Sequence, residues 1–202
     1  MSEHYFSSKP AEPREYVERE VVLRGIPHRV VTASGVFSAE RLDKATAVFL
    51  DKVPTPALPP QAHVLDIGCG WGPISLALAD AYPHAHVWAS DVNERARELT
   101  RVNLETAGHP HATVLAPEEL FAHVKAGSIH LIWSNPPIRI GKDALHKLLL
   151  DNLALLHPQG VAYCVVGKNL GADSLASWLN THGYTCLKFA SSKGFRILEV
   201  RP

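Results

Sequence analysis

Val64-Leu65-Asp66-Ile67-Gly68-Cys69-Gly70-Trp71-Gly72 is the stretch on which the reading of this chain turns. His63 to Ile67 has the length and apolar content of a buried strand, with Asp66 as its one carboxylate. Three glycines in five residues follow. Glycine admits positive φ and lets backbone approach a ligand closely. Pro73 then suits the first turn of a helix, whose free N–H groups would face the bend. The unit is strand, glycine-rich turn, helix, with the helix running to about Ala81.

Working outward, the same alternation continues. His86 to Ser90 reads as a second strand, and Asn93 caps a helix to about Glu105. His111 to Leu115 and Ser128 to Trp133 are the third and fourth strands. A helix spans about Lys142 to Leu156, Gly160 to Val166 is a fifth strand, and Ala172 to Thr181 is another helix. Tyr184 to Ala190 and Phe195 to Val200, joined by Ser191-Ser192-Lys193-Gly194, close the chain as a hairpin. Alternating β and α predicts a mostly parallel α/β sheet of Rossmann-like type. The final hairpin makes it seven-stranded with an antiparallel edge. Upstream, residues 1–18 read as a polar arm. Glu20 to Arg24 and His28 to Thr32 flank Gly25-Ile26-Pro27 as a short hairpin. Ser38 is placed to cap a helix running to about Lys52. Pro54, Pro56, Pro59 and Pro60 form a linker, so residues 1–60 are expected to pack as an extension on a domain of residues 61–202.

Composition narrows the function classes. The 202 residues are 46% hydrophobic and 20% charged, with no formal net charge, which suits one α/β domain with a sizeable core. The longest apolar runs, such as Val161 to Val166, are too short to cross a bilayer, so no membrane partner is expected. Met1-Ser2-Glu3-His4-Tyr5-Phe6 lacks the basic and apolar regions of a secretory leader, and a cytoplasmic location is the expectation. Cys69, Cys164 and Cys186 are odd in number and far apart, and the His pairs His84/His86 and His109/His111 lack a completing ligand. Neither a disulfide framework nor a metal site is expected. Charge is unevenly spread: residues 135–202 carry 8 basic and 4 acidic side chains, against 12 and 16 before them. Nothing in the sequence sets an oligomeric state.

Two further features carry chemistry. Asp91 ends the second strand, 19 residues after Gly72. An acid there can accept hydrogen bonds from both ribose hydroxyls of a nucleoside cofactor. The third glycine comes too early for the dinucleotide fingerprint G-x-G-x-x-G, and Asp66 beside the turn would repel a pyrophosphate while attracting an ammonium. S-adenosylmethionine, which carries an ammonium and a sulfonium but no phosphate, fits better than a nicotinamide dinucleotide. The second feature is Ser134-Asn135-Pro136-Pro137-Ile138-Arg139, after the fourth strand. Two prolines remove two N–H donors, leaving the Asn135 side-chain oxygen and the Pro136 carbonyl as free acceptors for both hydrogens of an –NH2 group. Alignment and electrostatic fit would then supply most of the rate.

These residues resemble the class I S-adenosylmethionine-dependent methyltransferases. Asp66 to Gly72 is similar to their motif I, and Asn135 to Pro137 to the N-P-P signature of amino-methyltransferases. With His4-Tyr5-Phe6-Ser7, Gly35-Val36-Phe37-Ser38, Asp91 to Ala96 and Lys193-Gly194-Phe195 added, the resemblance sharpens to the small-methyltransferase-domain family, whose members include guanine-N2 enzymes of small-subunit ribosomal RNA. The resemblance implies that Asp66, Gly68, Cys69 and Gly70 line the methionine half of the cofactor. It implies that Asp91 takes the ribose, that Val92 packs on the adenine, and that Glu118, with Glu119 as its rival, reaches the adenine edge. By the same resemblance, Asn135 is also expected to touch the cofactor and, with Pro136 and Pro137, to form the catalytic segment. Phe37, Ile138 and Arg139 are the implied substrate contacts, and RNA is the implied partner. Ile138 stands where such enzymes usually carry an aromatic, and Ala45 in Asp43-Lys44-Ala45-Thr46 where relatives tend to have glycine. With roughly sixty residues before the glycine turn, the extra N-terminal domain of two-domain relatives is not expected here. Adenine N6 and a protein glutamine amide present the same –NH2. A non-catalytic RNA-binding scaffold and a nicotinamide-dependent oxidoreductase are the readings from other classes. Arg139, Lys142, Lys168, Lys193 and Arg196 are candidate phosphate contacts.

Overall fold

A computed structural model of the chain describes residues 16–109 and 112–202. The His4–Ser7 motif, most of the expected N-terminal arm, and His111 at the start of the expected third strand lie outside the described residues. In chain order the elements are β1 (Tyr16–Leu23), β2 (Ile26–Ala33), α1 (Lys44–Lys52), β3 (His63–Ile67), α2 (Pro73–Ala81), β4 (His86–Ser90), α3 (Glu94–Thr106), β5 (Ala112–Leu115), α4 (Pro117–His123), β6 (Ile129–Ser134), α5 (Lys142–Leu153), β7 (Leu156–Gly167), α6 (Ala172–Thr181), β8 (Thr185–Ser192) and β9 (Phe195–Arg201).

Seven strands form one sheet in the order β5-β4-β3-β6-β7-β9-β8. The first five are parallel, and β9 runs antiparallel to both β7 and β8. The winding reverses between β3 and β6, and a crevice opens past the carboxyl ends of strands at such a point. Both Asp66-to-Gly72 and the N-P-P segment emerge there. β1 and β2 pair as a separate antiparallel ribbon.

Each face of the large sheet carries its own apolar cluster. One joins Phe49 of α1, Leu76 and Leu78 of α2 and Leu99 of α3 to Trp133 of β6, and takes in Leu23, Val30 and Ala33 of the hairpin. The other joins Leu120 of α4, Leu149 of α5 and Leu179 of α6 to Leu65 and Ile132. A strand covered on both faces is mostly apolar, which is why His63–Ile67 and Ile129–Ser134 read as near-continuous runs rather than alternations.

Several local expectations are corrected. Ser38 does not cap α1; it sits in a turn at φ +54. The cap is Asp43, whose carboxylate accepts from the Thr46 amide at 3.0 Å. α4 was not expected. Its seven residues bury only Leu120, too few for a helical period to show. α5 stops at Leu153 because the Leu155 carbonyl accepts from Ile129 N at 2.9 Å, drawing the chain into the sheet. β7 therefore begins at Leu156 rather than Gly160. Gly160 is required within it, since a Cβ there would lie 2.8 Å from the Ile129 carbonyl. Both hairpins turn on two residues, Arg24-Gly25 (φ +49, +85) and Lys193-Gly194 (φ +48, +83), the double positive φ that matches strand twist. The strands are accordingly longer than expected, and Pro27 sits inside β2 opposite Val22.

Candidate active site

The glycine turn is stitched to the end of β4. Gly68 N and Cys69 N both donate to the Ser90 carbonyl, at 2.8 and 3.1 Å. Gly70 N donates to Asp91 Oδ2 at 3.0 Å, and Asn93 N to Asp91 Oδ1 at 2.9 Å. Each carboxylate oxygen of Asp91 retains a lone pair for another donor. Burial raises the Asp91 pKa above the ordinary carboxylate value, against the lowering effect of the Asn93 and Gly70 amides and of Arg97.

The three glycines do different work. At Gly72 (φ +94) a methyl group would meet Thr100 Cγ2 and Oγ1 at 3.2 Å, so this glycine lets α3 pack against the turn. At Gly70 (φ +59) it would meet nothing within 4 Å. At Gly68 (φ +74) it would come 3.9 Å from Pro137 Cδ and 4.0 Å from the Asn135 carbonyl. The glycine turn and the N-P-P segment therefore abut, and the space over Gly70 is open.

Asp66 is not on that open side. It is fully buried beneath the turn. Ser75 Oγ of α2 donates to its Oδ2 at 2.6 Å, and its Oδ1 has no partner among the described residues. Burial raises its pKa to about 7, with the Asp91 charge adding to the rise and the Ser75 hydrogen bonds opposing it. Cys69 likewise turns inward: its thiol is buried, receives a 3.3 Å contact from Thr100 Oγ1 and is pushed well above the usual thiol pKa by burial. These two residues reach the crevice through backbone alone.

Around Asp91, Val92 is 38% exposed. The two acids after β5 are separated by their bonding: Glu119 Oε2 accepts from Ala116 N at 2.9 Å and caps α4, while Glu118 is exposed at the same helix start. Phe37, also exposed, lies in a loop tied to the start of α3. Asn93 Nδ2 donates to the Gly35 carbonyl at 3.0 Å, and Arg95 donates to the Ser34 carbonyl.

On the other side of the crevice, Ser134 Oγ donates to the Ile67 carbonyl at 2.8 Å and ties the tip of β6 to that of β3. Asn135 Nδ2 donates at 3.0 Å to both Asp43 Oδ2 and Thr46 Oγ1. No donor to Asn135 Oδ1 is found among the described residues. The sequence suggested a free Pro136 carbonyl, but Ile138 N donates to it at 2.8 Å, as Ile140 N does to the Pro137 carbonyl at 3.2 Å. One lone pair of Pro136 remains. Ile138 packs against the second apolar cluster, whereas Arg139 is exposed. Sequence reasoning missed Asp43 and Thr46 as partners of Asn135, because 92 and 89 residues separate them in the chain.

Arg139, Lys142 at the start of α5, Lys168 after β7 and Lys193 in the last turn are all exposed along the sheet edge running away from Asn135. Lys168 N donates to the Gly194 carbonyl at 2.8 Å, which brings two of these lysines together. Arg196 is withdrawn from this group by an ion pair with Asp173. No set of three His, Cys, Asp or Glu side chains suited to a metal ion occurs among the described residues, and no helix among them is long and apolar enough to cross a membrane.

The model of the methyltransferase small domain matches residues 27–199. The uncharacterized protein YbxB of Bacillus subtilis is 32% identical over 202 residues, which cover 100% of this chain and 99% of YbxB. Ribosomal RNA small subunit methyltransferase C of Ectopseudomonas mendocina is 32% identical over 179 residues, 87% of this chain and 51% of that protein. The chain thus spans about half the length of the ribosomal RNA methyltransferases it matches. The Thermus (T. Thermophilus) 16S rRNA N2 G1207 methyltransferase, solved with AdoMet and guanosine, has a TM-score of 0.73 and 23% identity, covering 95% of this chain and 52% of its own. That likeness establishes the fold. The donor set agrees: a backbone bend open over Gly70, and a carboxylate at Asp91 with lone pairs left for hydroxyls. The chain belongs to the small methyltransferase domain family and is an S-adenosylmethionine-dependent methyltransferase.

Proposed function

We propose that the chain methylates the exocyclic N2 amine of a guanine in small-subunit ribosomal RNA. The observation that carries the amine reading is the abutment of the Asn135-Pro136-Pro137 segment against the glycine turn at Gly68. S-adenosylmethionine supplies, when bound, a sulfonium methyl that a neutral amine can attack without a strong base. Gly68 and Gly70 would hold its methionine half by backbone, with Cys69 between them. Asp91 would accept from the ribose, Val92 would pack on the adenine, and Glu118, left free by the capping role of Glu119, would reach the adenine edge. Asp66 would act from below the turn. Asn135 Oδ1 and the remaining lone pair of Pro136 would each accept one hydrogen of the target amine, while Pro137 fixes the backbone between them. Such a grip aims the nitrogen lone pair and holds it there, which is a proximity effect rather than base catalysis.

RNA as the substrate is supported by two lines. Matched proteins are named for small-subunit or 16S ribosomal RNA, one of them for guanine N2. The exposed cations Arg139, Lys142, Lys168 and Lys193 flank Asn135 on the side away from Asp91, so a strand entering over β7 and β9 would meet positive charge. The base would have to be unpaired or flipped to reach Asn135. Phe37 would then face the base from the opposite rim, and Ile138 would support the loop from beneath.

The test is to incubate the protein with radiolabelled methyl donor and undermethylated small ribosomal subunits, then digest the RNA and separate the nucleosides. Label in N2-methylguanosine at one position supports the proposal. Label in N6-methyladenosine, or in a methylated glutamine of a ribosomal protein, would replace the target while keeping the amine grip.

A further inference from the structure

We infer that Asp43 and Thr46 are positioning residues for the transfer, because they fix which end of the Asn135 amide faces the crevice. The inference rests on the amine-grip reading above. An asparagine side chain can present either its oxygen or its NH2 group to a ligand, and the two ends have nearly the same shape. Only the oxygen can accept an amine hydrogen. Something must therefore settle the flip before substrate arrives.

The start of α1 settles it. A carboxylate has acceptors only, so Asp43 Oδ2, 3.0 Å from the Asn135 amide nitrogen, excludes the flipped state in which two oxygens would face each other. Thr46 Oγ1, also 3.0 Å from that nitrogen, accepts the second hydrogen. Its own hydroxyl points toward Asp43 Oδ2 at 3.5 Å, which keeps its lone pair turned to Asn135. Both amide hydrogens are thus used on one side, and Oδ1 is left to the crevice. Donation to a carboxylate also polarises the amide and strengthens Oδ1 as an acceptor.

Asp43 is itself held in place. As the cap of α1 it accepts from Thr46 N at 3.0 Å. The helix behind it is anchored by Phe49, whose ring meets Trp133 of β6 edge-on at 5.8 Å. Trp133 lies two residues before Asn135, so the strand that carries the amide and the helix that orients it share one packed contact. A capping interaction alone explains the contact between Asp43 and Thr46. It does not explain why both residues also take the Asn135 amide.

Three variants test this. Asp43→Asn keeps the shape but replaces one oxygen with NH2; with that NH2 in the place of Oδ2, which both caps α1 and accepts from Asn135, the wrong flip is allowed. Thr46→Val removes the second acceptor, and Thr46→Ser restores it. Asp43→Asn and Thr46→Val should lower kcat roughly 10- to 100-fold, with the dissociation constant of S-adenosylhomocysteine within about twofold of the parent. Thr46→Ser should recover most of the rate. In an Asn135→Ala background, Asp43→Asn should have no further effect. If Asn135→Ala leaves turnover intact, the amine grip itself is wrong and the positioning role falls with it. If Asn135→Ala abolishes turnover while Asp43→Asn and Thr46→Val run at the parental rate, only the positioning role is overturned. A readout independent of substrate comes from the 15N-labelled full chain. The Asn135 side-chain amide protons, assigned by their loss in Asn135→Ala, should exchange slowly with water and move on Asp43→Asn or Thr46→Val. Unchanged shifts and exchange in both variants would also overturn the inference.

Discussion

Asp66→Asn should reverse part of the pH dependence of stability, and the size of the effect follows from where the carboxyl sits. Asp66 is fully buried, with Ser75 donating to one oxygen and no partner for the other among the described residues. Its pKa rises from 3.8 to about 7, chiefly by burial. Between those values the folded chain holds a proton that the unfolded chain has released. The stability linked to this group is therefore present at acid pH and is lost as pH rises through about 7, in total roughly 4 kcal/mol. Of that, roughly 2–3 kcal/mol falls between pH 5 and pH 8. Asparagine keeps the volume and an acceptor for Ser75 but does not titrate. Its new NH2 lacks an acceptor, so the variant starts at a disadvantage of about 1–3 kcal/mol at pH 5. The assay is urea unfolding followed by tryptophan fluorescence at several pH values. The gap between parent and variant should close, and can change sign, by pH 8. A gap that stays constant from pH 5 to pH 8 would refute the reasoning. Saturating S-adenosylmethionine should shrink the pH dependence of the gap if its ammonium is drawn to Asp66, because a nearby cation favours the ionised form.

Three other perturbations separate the functions of neighbouring groups. Gly72→Ala should destabilise by roughly 2–4 kcal/mol in urea unfolding, through the contact with Thr100 at 3.2 Å and the φ of +94 together. Gly70→Ala, where a methyl meets nothing within 4 Å, should cost only about 1 kcal/mol of stability yet weaken S-adenosylhomocysteine binding in calorimetry; unaltered binding would remove Gly70 from the cofactor site. Asp91→Ala should weaken the same ligand by about tenfold or more, since a charged acceptor for two hydroxyls is lost, and an unchanged dissociation constant would end its ribose role. Below pH 6.5 a separate acid sensitivity should appear from His130 on β6, which lies between His63 on β3 and His157 on β7. Burial, with His157 and His63 alongside, lowers the His130 pKa, and its Nδ1 accepts from His63 N at 3.2 Å. The unfolded chain then takes up the proton first, and stability falls as pH drops from 6.5 through the folded value. His130→Asn should flatten that fall in urea unfolding, and an identical slope would exclude His130 as its source.

What could be read in the sequence was what local chemistry determines. β3, α2, β4 and α6 fall at the expected residues because strand composition, a glycine bend, Pro73 at a helix start and Asn93 as a cap are each signals within a few residues. The glycine turn and the N-P-P segment were recognisable for the same reason, and topology alone then brought them together across the β3–β6 switch. Errors gathered where a distant partner decides. Ser38 is a sound cap by composition, but the chain reserves the capping role for Asp43, whose carboxylate also faces Asn135. The Pro136 carbonyl was expected to be free because two prolines remove donors, yet the next available N–H, that of Ile138, folds back to it. Asp66 was expected on the open side of the turn because its charge suits an ammonium. The alternation of β3 instead turns it toward α2, where Ser75 waits.

Residues 16–60 carry a meaning that composition could not give. They resemble an extension, set off by four prolines, and among the described residues the hairpin pairs only with itself. Yet Leu23, Val30 and Phe49 lie in the cluster that also buries Leu76, Leu99 and Trp133. Arg24 at the hairpin tip donates to the Leu50 and Val53 carbonyls at 3.0 Å and so closes the carboxyl end of α1. α1 is thus fixed at one end by the hairpin and at the other by Asp43, which in turn holds Asn135. Arg24→Ala would free the carboxyl end of α1, while Asn103, bonded to both Val31 and the Trp71 carbonyl, keeps β2 on α3 and the glycine turn. The fault would travel along α1 to the amide of Asn135. Turnover should then fall more than cofactor affinity, which is the signature expected if these residues serve the chemistry through α1 and not the binding of the methyl donor.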